Sequence, residues 1–304
     1  HGMPAAHVLV TGAPVYDQWF NREPSTTREQ FCKKVGLPPD RPFLLYLCSS
    51  GFIAPNEAAF ADRWVRALRT SADARVREAA VLVRPHPENV QPWQKYDLAE
   101  FDDVAIWPLG GANPVDDSSK NDFFDSLFHS FAVVGVNTSA QIEAGVVGRP
   151  VFTVQSEEHA GTQEGTLHFH YLLEAGGGLV QNAGGFDEHV EQLSHAFVDG
   201  LAGGAKRQGF LEAFVRPQGL DIAATPLIAD GIEELGTLPR RAPKRLMPPL
   251  YLLRWVLWPA ALGLKIVRQV TRVRVKRQRK LRPLTVSGFL LKPLFDVLDL
   301  VLRW

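Results

Sequence analysis

Residues 131–154 read FAVVGVNTSAQIEAGVVGRPVFTV, and this stretch decides the fold class of the chain. It begins and ends with short apolar runs, at 131–136 and 150–154, that are rich in β-branched residues. Between the two runs, hydroxyl residues open a segment with helical character. Short buried strands that alternate with helices are typical of a parallel sheet.

The same alternation extends in both directions from this stretch. Six apolar runs predict strands, at 43–48, 80–83, 104–107, 131–136, 150–154 and 178–180. Two of the intervening segments have a clear apolar helical face, formed by Phe60, Trp64, Val65 and Leu68 in 55–70 and by Val190, Leu193, Phe197 and Leu201 in 187–201. Six strands alternating with helices predict an α/β fold with a doubly wound, Rossmann-like parallel sheet.

Composition bounds the class of protein. Hydrophobic residues make up 45% of the 304 residues, which is enough for a large core and excludes a disordered chain. The two cysteines, Cys32 and Cys48, lie outside any CxxC or Cys/His spacing. They therefore predict neither a disulfide framework nor a zinc site, and a reducing compartment is expected.

Charge divides the chain into a body and a tail. Residues 1–239 hold 17 basic and 31 acidic residues, a net charge of −14, whereas residues 240–304 hold 16 basic residues and two acids, a net charge of +14. Prolines between 239 and 249 punctuate the change. We therefore expect a hinge or linker at 1–20, a Rossmann-like nucleotide-binding domain at 21–238 and a basic, amphipathic helical tail at 239–304.

The tail suits an anionic membrane surface. The apolar stretch 250–264 is too short to span a bilayer, and it contains Arg254 and Pro259. Trp255 and Trp258 favour the membrane interface, and the basic run 268–282 would be attracted to anionic lipid. We expect a cytoplasmic protein with a peripheral arm on the inner face of the membrane, and no nucleic acid partner. The alternative is a helix that packs on an N-terminal half.

The sequence 83–87, VRPHP, follows one predicted strand and is the strongest candidate site motif. Prolines on both sides of His86 fix its backbone. A rigid histidine at a strand end can donate a hydrogen bond to phosphate or act as an acid or base, and Arg84 offers a positive charge beside it. The alternative is a histidine that only stabilises a turn.

A second motif follows the strand at 131–136. Asn137, Thr138 and Ser139 open a helix, whose free N–H groups and dipole favour a nucleotide's phosphates. Glu143 lies one turn into that helix and could hold the hydroxyl pair of a ribose. The alternative is a plain capping box formed by Thr138 and Gln141.

Polar residues after two other strands are candidate contacts of the donor, namely Ser49, Ser50, Gln163 and Glu164. Ser49 and Ser50 could equally cap the next helix. His168 and His170 lack a well-placed third ligand, and the chain has no DxD arrangement, so no metal is expected. The sequence also contains no P-loop, GxGxxG or GxSxG motif, which argues against kinases, NAD enzymes and α/β-hydrolases.

Taken together, these motifs resemble the nucleotide-binding half of GT-B glycosyltransferases, and more narrowly the CDP-glycerol glycerophosphotransferase and capsule-polymer transferase group. His86-Pro87 is similar to that group's His-Pro motif, and Thr138-Ser139 to its Ser/Thr pair. The GRPV at 148–151 is similar to the segment before the next strand in GT-B proteins, and 10–17 resembles their hinge.

The resemblance implies a transferase that moves a glycosyl or glycerol-phosphate unit from a nucleotide donor, of CDP or CMP type, to a cell-surface polymer or lipid. It also implies that Arg84, His86, Asn137, Thr138, Ser139 and Glu143 bind the nucleotide. The alternatives are a sugar-nucleotide 2-epimerase-like enzyme and a non-catalytic or truncated nucleotide-binding subunit. The acceptor-binding half of such proteins has no counterpart in the chain, so we expect a separate N-terminal half or a partner subunit and assign no catalytic residue.

Overall fold

The computed structural model describes residues 4, 7–96, 100–101, 103–199, 204–238, 257–259 and 262–263. Within 239–304, the segment predicted to be a helical membrane arm, only 257–259 and 262–263 are among them, and these five are helical. The predicted interface residue Trp255, the basic run 268–282 and Leu201 of the predicted helical face lie outside the described residues.

A six-stranded sheet organises the described chain. Its strands are β1 (Phe43–Leu47), β2 (Ala80–Arg84), β3 (Val104–Ile106), β4 (Ala132–Val134), β5 (Val151–Val154) and β6 (Val180–Ala183). The strands lie in the order β3-β2-β1-β4-β5-β6, and every neighbouring pair is parallel. This order is that of a doubly wound, Rossmann-like sheet, so the predicted fold class is confirmed, and each of the six predicted strands is present.

Helices connect and cover the strands. They are α1 (Arg28–Val35), α2 (Glu57–Arg69), α3 (Ala74–Arg77), α4 (Gln91–Gln94), α5 (Asp117–His129), α6 (Ala140–Val146), α7 (Leu167–Glu174), α8 (Phe186–Asp199), α9 (Gly204–Phe210) and α10 (Ala224–Thr237). The two helices predicted from apolar faces are α2 and α8.

The core lies in two layers, one on each face of the sheet. Side chains alternate along β1, so Phe43, Leu45 and Leu47 pack in one layer whereas Leu44 and Tyr46 pack in the other. The predicted apolar face of α2, from Phe60 to Leu68, lies in the second layer. Helices on both faces bury the sheet, which explains why its strands are continuously apolar rather than alternating.

The segment expected to be a hinge contributes to the body. Residues Pro14–Trp19 form a 3-10 turn that buries Tyr16 and Trp19. Asp17 accepts hydrogen bonds from Arg216 at 2.8 Å and from the hydroxyl of Thr225 at 2.6 Å. Residues near position 17 are therefore fixed against the start of α10.

The strand order reverses between β1 and β4, and their carboxyl ends approach closely. A Cβ added to Gly135, just after β4, would lie 2.9 Å from the carbonyl oxygen of Leu47. Only glycine fits this approach. The loops that follow the two strands then lead to opposite faces of the sheet, which leaves a crevice between them, and ligands of open α/β sheets bind in such a crevice.

Candidate functional site

A pocket of about 160 Å³ occupies this crevice, and we call it the switch-point pocket. The ends of β1 and β2, the start of α6, the segment 112–114 and Phe123 of α5 form its walls. The lining residues are Leu47, Cys48, Arg84, Pro85, His86, Pro87, Ala112, Asn113, Pro114, Phe123, Thr138, Ser139, Ala140 and Glu143. Five residues predicted to bind a nucleotide from two separate motifs therefore lie around one cavity.

His86 is held in a defined orientation at this pocket. Its Nδ1 accepts a hydrogen bond from the backbone N–H of Glu88 at 3.2 Å, so a neutral ring carries its proton on Nε2. Burial lowers the pKa of His86, although nearby Glu88 opposes the shift. Gly111 packs against Pro87 with a φ of 64°, where an added Cβ would lie 3.0 Å from the Pro87 Cα. The ring is therefore neutral near pH 7, with Nε2–H as a donor.

Arg84 lines the pocket, but its charge is already balanced. Its Nη1 donates to Asp122 Oδ2 at 2.8 Å, and its guanidinium lies 5.2 Å from the centre of the Phe123 ring. The Asp122 carboxylate also accepts from Lys34 at 2.6 Å and from the Trp107 indole at 3.0 Å. The Arg84 Nη2 is buried without a hydrogen-bond partner. Arg84 thus supplies a fixed dipole at the pocket wall more than a free cation.

Glu143 places a titrating carboxyl on the opposite wall. Burial raises its pKa to about 7. The pKa of Tyr16 is raised to about 12 by burial and by the nearby negative charge of Glu143. Glu143 is therefore partly protonated at neutral pH and can both accept and donate a hydrogen bond.

The start of α6 differs from the predicted capping box. The Gln141 side chain accepts from the Thr138 N–H at 3.1 Å, as the box requires. The Thr138 hydroxyl instead accepts from the N–H of Ala140 at 3.4 Å, and Ser139 is the N-cap residue. Ser139 is exposed and lines the pocket, so a ligand in the pocket can reach this residue.

Asn137 and Ser49 lie beside the pocket, but their hydrogen bonds link neighbouring elements of the fold. The Asn137 amide donates to the Thr166 hydroxyl at 3.1 Å, and its Oδ1 is 2.7 Å from Nδ1 of His168. Ser49 is buried, and its N–H donates to the Glu57 carboxylate at 2.7 Å. These bonds connect the end of β4 to the start of α7 and the end of β1 to α2.

The other three predicted donor contacts do not line the pocket either. The Ser50 carbonyl accepts from the backbone N–H groups of Ile53 and Ala54, so this residue turns the chain into α2. Gln163 is buried, and its amide N–H groups reach Val136, Val154 and Thr153 while its oxygen accepts from Ser156. Exposed Glu164 accepts from Gln155 at 2.7 Å.

His168 and His170 lie on α7, two residues apart, and therefore face different directions. His168 is bonded to Asn137, whereas His170 Nε2 lies 2.8 Å from the carbonyl of Glu164. Among the described residues, no group of three or more His, Cys, Asp or Glu side chains could hold a metal ion.

Three residues that shape the site are not among those predicted from the sequence. Asp122 neutralises Arg84 from α5, Asn113 lines the pocket after β3, and Glu57 supports the turn after β1. Asp122 precedes Phe123 and Phe124 in the sequence, and an acid beside a pair of core aromatics was the available signal. No such signal marks Glu57, because many exposed helices also have a single acid in their first turn.

Fold and pocket together define a class: an open, doubly wound α/β protein with a pocket at the topological switch point, where ligands of such sheets bind. No family model matches the chain, and none of the curated proteins does. Several solved structures are similar to it. The wall teichoic acid polymerase TagF shares 18% identity over 76% of this chain and 52% of its own, with a TM-score of 0.48.

Two further structures show a similar extent of likeness. WaaG, a glycosyltransferase involved in lipopolysaccharide biosynthesis, has 19% identity over 71% of this chain and 53% of its own, with a TM-score of 0.41. MnaA of S. aureus, solved with UDP, has 17% identity over 81% and 58%, with a TM-score of 0.47. The chain thus spans about half the length of these proteins.

Proposed function

We propose that the chain binds the diphosphate of a nucleotide-activated donor in the switch-point pocket, as the donor-binding part of a glycosyl or glycerol-phosphate transferase. One observation carries the proposal: His86 from one motif and Thr138, Ser139 and Glu143 from another line the same cavity at the switch point. Crevices at this position are where open α/β sheets bind nucleotides.

The pocket's size suits the phosphate part of such a donor. At about 160 Å³ it is smaller than the roughly 300 Å³ at which whole-ligand sites begin. The phosphates would occupy the cavity, and the nucleoside would lie on the open rim. A cytidine nucleotide is the donor type that the motif resemblance favours.

Each lining residue has a role that its chemistry permits. His86 Nε2–H and the Ser139 hydroxyl donate to phosphate oxygens, and Glu143 accepts from a ribose hydroxyl. Arg84, although paired with Asp122, keeps a positive edge toward the developing charge on the leaving diphosphate. Fixed donors of this kind stabilise a leaving group without reorganising in the transition state.

Calorimetric titration tests the assignment. CMP and CDP, with UDP and GDP for comparison, are titrated into the wild type, His86→Ala, Ser139→Ala and the control Ser50→Ala. Each pocket variant should bind CDP about tenfold more weakly, because one charge-assisted hydrogen bond is lost, whereas the control should bind as the wild type does. Equal affinity in all four proteins contradicts the proposal.

We further propose that nucleotide binding needs no divalent metal. The same titration with EDTA should give an unchanged CDP affinity. If affinity falls in EDTA and returns with magnesium or manganese, the metal-independent assignment is wrong.

The tail carries a separate proposal, a peripheral contact with the inner face of the membrane through residues 240–304. No helix among the described residues is long and apolar enough to cross a membrane. The net charge of +14 in this segment supports attraction to anionic lipid. Co-sedimentation with anionic vesicles should fall as salt rises and vanish when residues 240–304 are deleted. A full chain that ignores anionic vesicles at low salt rules the proposal out.

A further inference from the structure

A second cavity lies at the opposite edge of the sheet, where β5 and β6 begin. Its volume is about 490 Å³, and its polar lining includes Arg149, Gln181, His195, Asp199, Lys206 and Arg207. We call it the amino-edge cavity. Because β5 has four residues, the length of that strand, roughly 13 Å, separates this edge from the carboxyl edge.

Two arginines, Arg149 and Arg207, line this cavity, and so does one carboxylate residue, Asp199. Arg149 and Arg207 are both half-buried, and within the described part of the chain neither forms an ion pair. Burial lowers the pKa of Arg149, and the nearby positive charge of Arg207 lowers it further. An arginine side chain stays protonated under such conditions. Two positive charges therefore line one partly desolvated cavity.

This arrangement contrasts with the fully buried arginines of the same chain. Arg84 is paired with Asp122 and Arg216 with Asp17, each at 2.8 Å. Residues 1–239 carry 31 acids against 17 bases, so carboxylates are abundant in this body. Two half-buried cations that line one cavity and form no ion pair within the described residues are an arrangement that an anionic ligand completes.

Part of Arg149 has a structural role that a test must avoid disturbing. Its Nη1 donates to the Ser130 carbonyl at 3.1 Å, and its guanidinium lies 5.5 Å from the centre of the Phe128 ring. Arg207 lies on α9 next to exposed Lys206, and among the described residues it has neither a side-chain hydrogen bond nor a ring contact of this kind. Arg207 is therefore the cleaner position for substitution.

We propose that the amino-edge cavity binds a small phosphorylated polyol or sugar, whose phosphate bridges Arg149 and Arg207. A phosphate dianion matches two guanidinium groups in charge and in geometry. Asp199 and Gln181 provide acceptors for the hydroxyl groups of the same molecule. The cavity volume lies within the range of small-molecule sites, about 300 to 1,000 Å³. The site is separate from the switch-point pocket and does not rest on the function proposed there.

Calorimetry on full-length protein carrying His86→Ala tests the site with binding at the switch-point pocket weakened, and the arginine variants below then assign the remaining binding to the amino-edge cavity. The probes are inorganic phosphate, glycerol 3-phosphate and, as the uncharged match, glycerol. Into this background Arg207→Gln, Arg149→Gln and the control Lys33→Gln are introduced; Lys33 is an exposed residue of α1, and each change removes one positive charge.

Glycerol 3-phosphate should bind, glycerol should not, and Arg207→Gln and Arg149→Gln should each weaken binding at least about tenfold, as the loss of a charge-assisted bond requires. Tighter binding of glycerol 3-phosphate than of phosphate supports the hydroxyl contacts. The proposal fails if neither phosphate compound binds at millimolar concentration. It also fails if Arg207→Gln binds like Lys33→Gln, since the response is then to net charge alone. A thermal melt of each variant shows that it is folded.

Discussion

The two edges of the sheet treat positive charge in opposite ways. At the carboxyl edge, Arg84 is 4% exposed, and its charge is balanced by Asp122. At the amino edge, Arg149 and Arg207 are only half-buried, and within the described residues no carboxylate pairs with them. The edge where the sequence predicted a binding site thus has little free charge, whereas the edge where the sequence predicted none has more.

This difference in pairing shows that a cation in a pocket does not by itself identify an anion site. Full burial makes an unpaired charge too costly, so Arg84 carries its own counterion and acts as part of the wall. Half-buried groups keep enough solvent to remain unpaired, and these are the ones that can exchange water for a ligand. Four predictions test how far stability depends on the partners of buried and half-buried polar side chains.

The largest effect is expected from Asp122→Asn. This change leaves Arg84 buried without its counterion, which should lower the free energy of unfolding by about 3 to 5 kcal/mol. Urea denaturation measures it. The matched control is Lys34→Gln, which removes only the exposed partner of the same carboxylate and should cost at most about 1 kcal/mol. A cost of Asp122→Asn no larger than that of the control means that Arg84 does not depend on the pair.

A smaller effect, dependent on pH, is expected at Glu57. Burial raises the pKa of this carboxyl to about 8, above its usual value of 4.5. The folded state therefore binds more protons between these two values, and stability should fall as pH rises from 4.5 to about 8. Glu57→Gln keeps an acceptor for the Ser49 N–H and removes the titration.

The difference in unfolding free energy between Glu57→Gln and the wild type should accordingly grow with pH, by about 3 kcal/mol in total. Urea titrations at pH 5, 6.5 and 8 measure it. A difference that is the same at all three pH values shows that the carboxylate is solvated in the folded protein.

Next in size is the effect of Gln163→Leu. It leaves the N–H of Ser156 without its acceptor and removes one donor from each of the carbonyls of Val136 and Val154, which should cost about 2 kcal/mol of stability. The neighbouring Glu164→Gln lies on the surface and should change stability by less than about 0.5 kcal/mol. If Gln163→Leu instead weakens CDP binding at unchanged stability, Gln163 contacts the nucleotide donor, as the sequence predicted.

The smallest effect is expected from Arg207→Gln at the amino edge. Within the described residues neither Arg149 nor Arg207 forms an ion pair, so removing the Arg207 charge should change the free energy of unfolding by less than about 0.5 kcal/mol, with any change toward greater stability. The same urea measurement at low salt detects it. If Arg207→Gln lowers the free energy of unfolding as much as Asp122→Asn does, the two edges do not differ in how their positive charges are stabilised.

Much of the fold and part of the site followed from the sequence. Each short apolar run became a strand because buried parallel strands need continuous apolar side chains, and the alternation with helices fixed the carboxyl edge as the place for polar loops. His86, Thr138 and Ser139 were predicted on this basis and lie in one pocket. Their placement needed only the period of the pattern and the direction of parallel strands.

The partners of individual side chains were decided by tertiary structure alone. The amide side chains of Asn137 and Gln163 are of a type that often binds ligands. In the folded chain, however, both amides donate hydrogen bonds to backbone carbonyls of other segments. Likewise, nothing near Arg84 in the sequence shows that Asp122 neutralises its charge. Nothing near Arg149 in the sequence shows that Arg207 lines the same cavity. Local patterns determine which face of an element is buried. Whether a buried charge has a counterion depends on which distant segments the fold brings within a few ångströms of it.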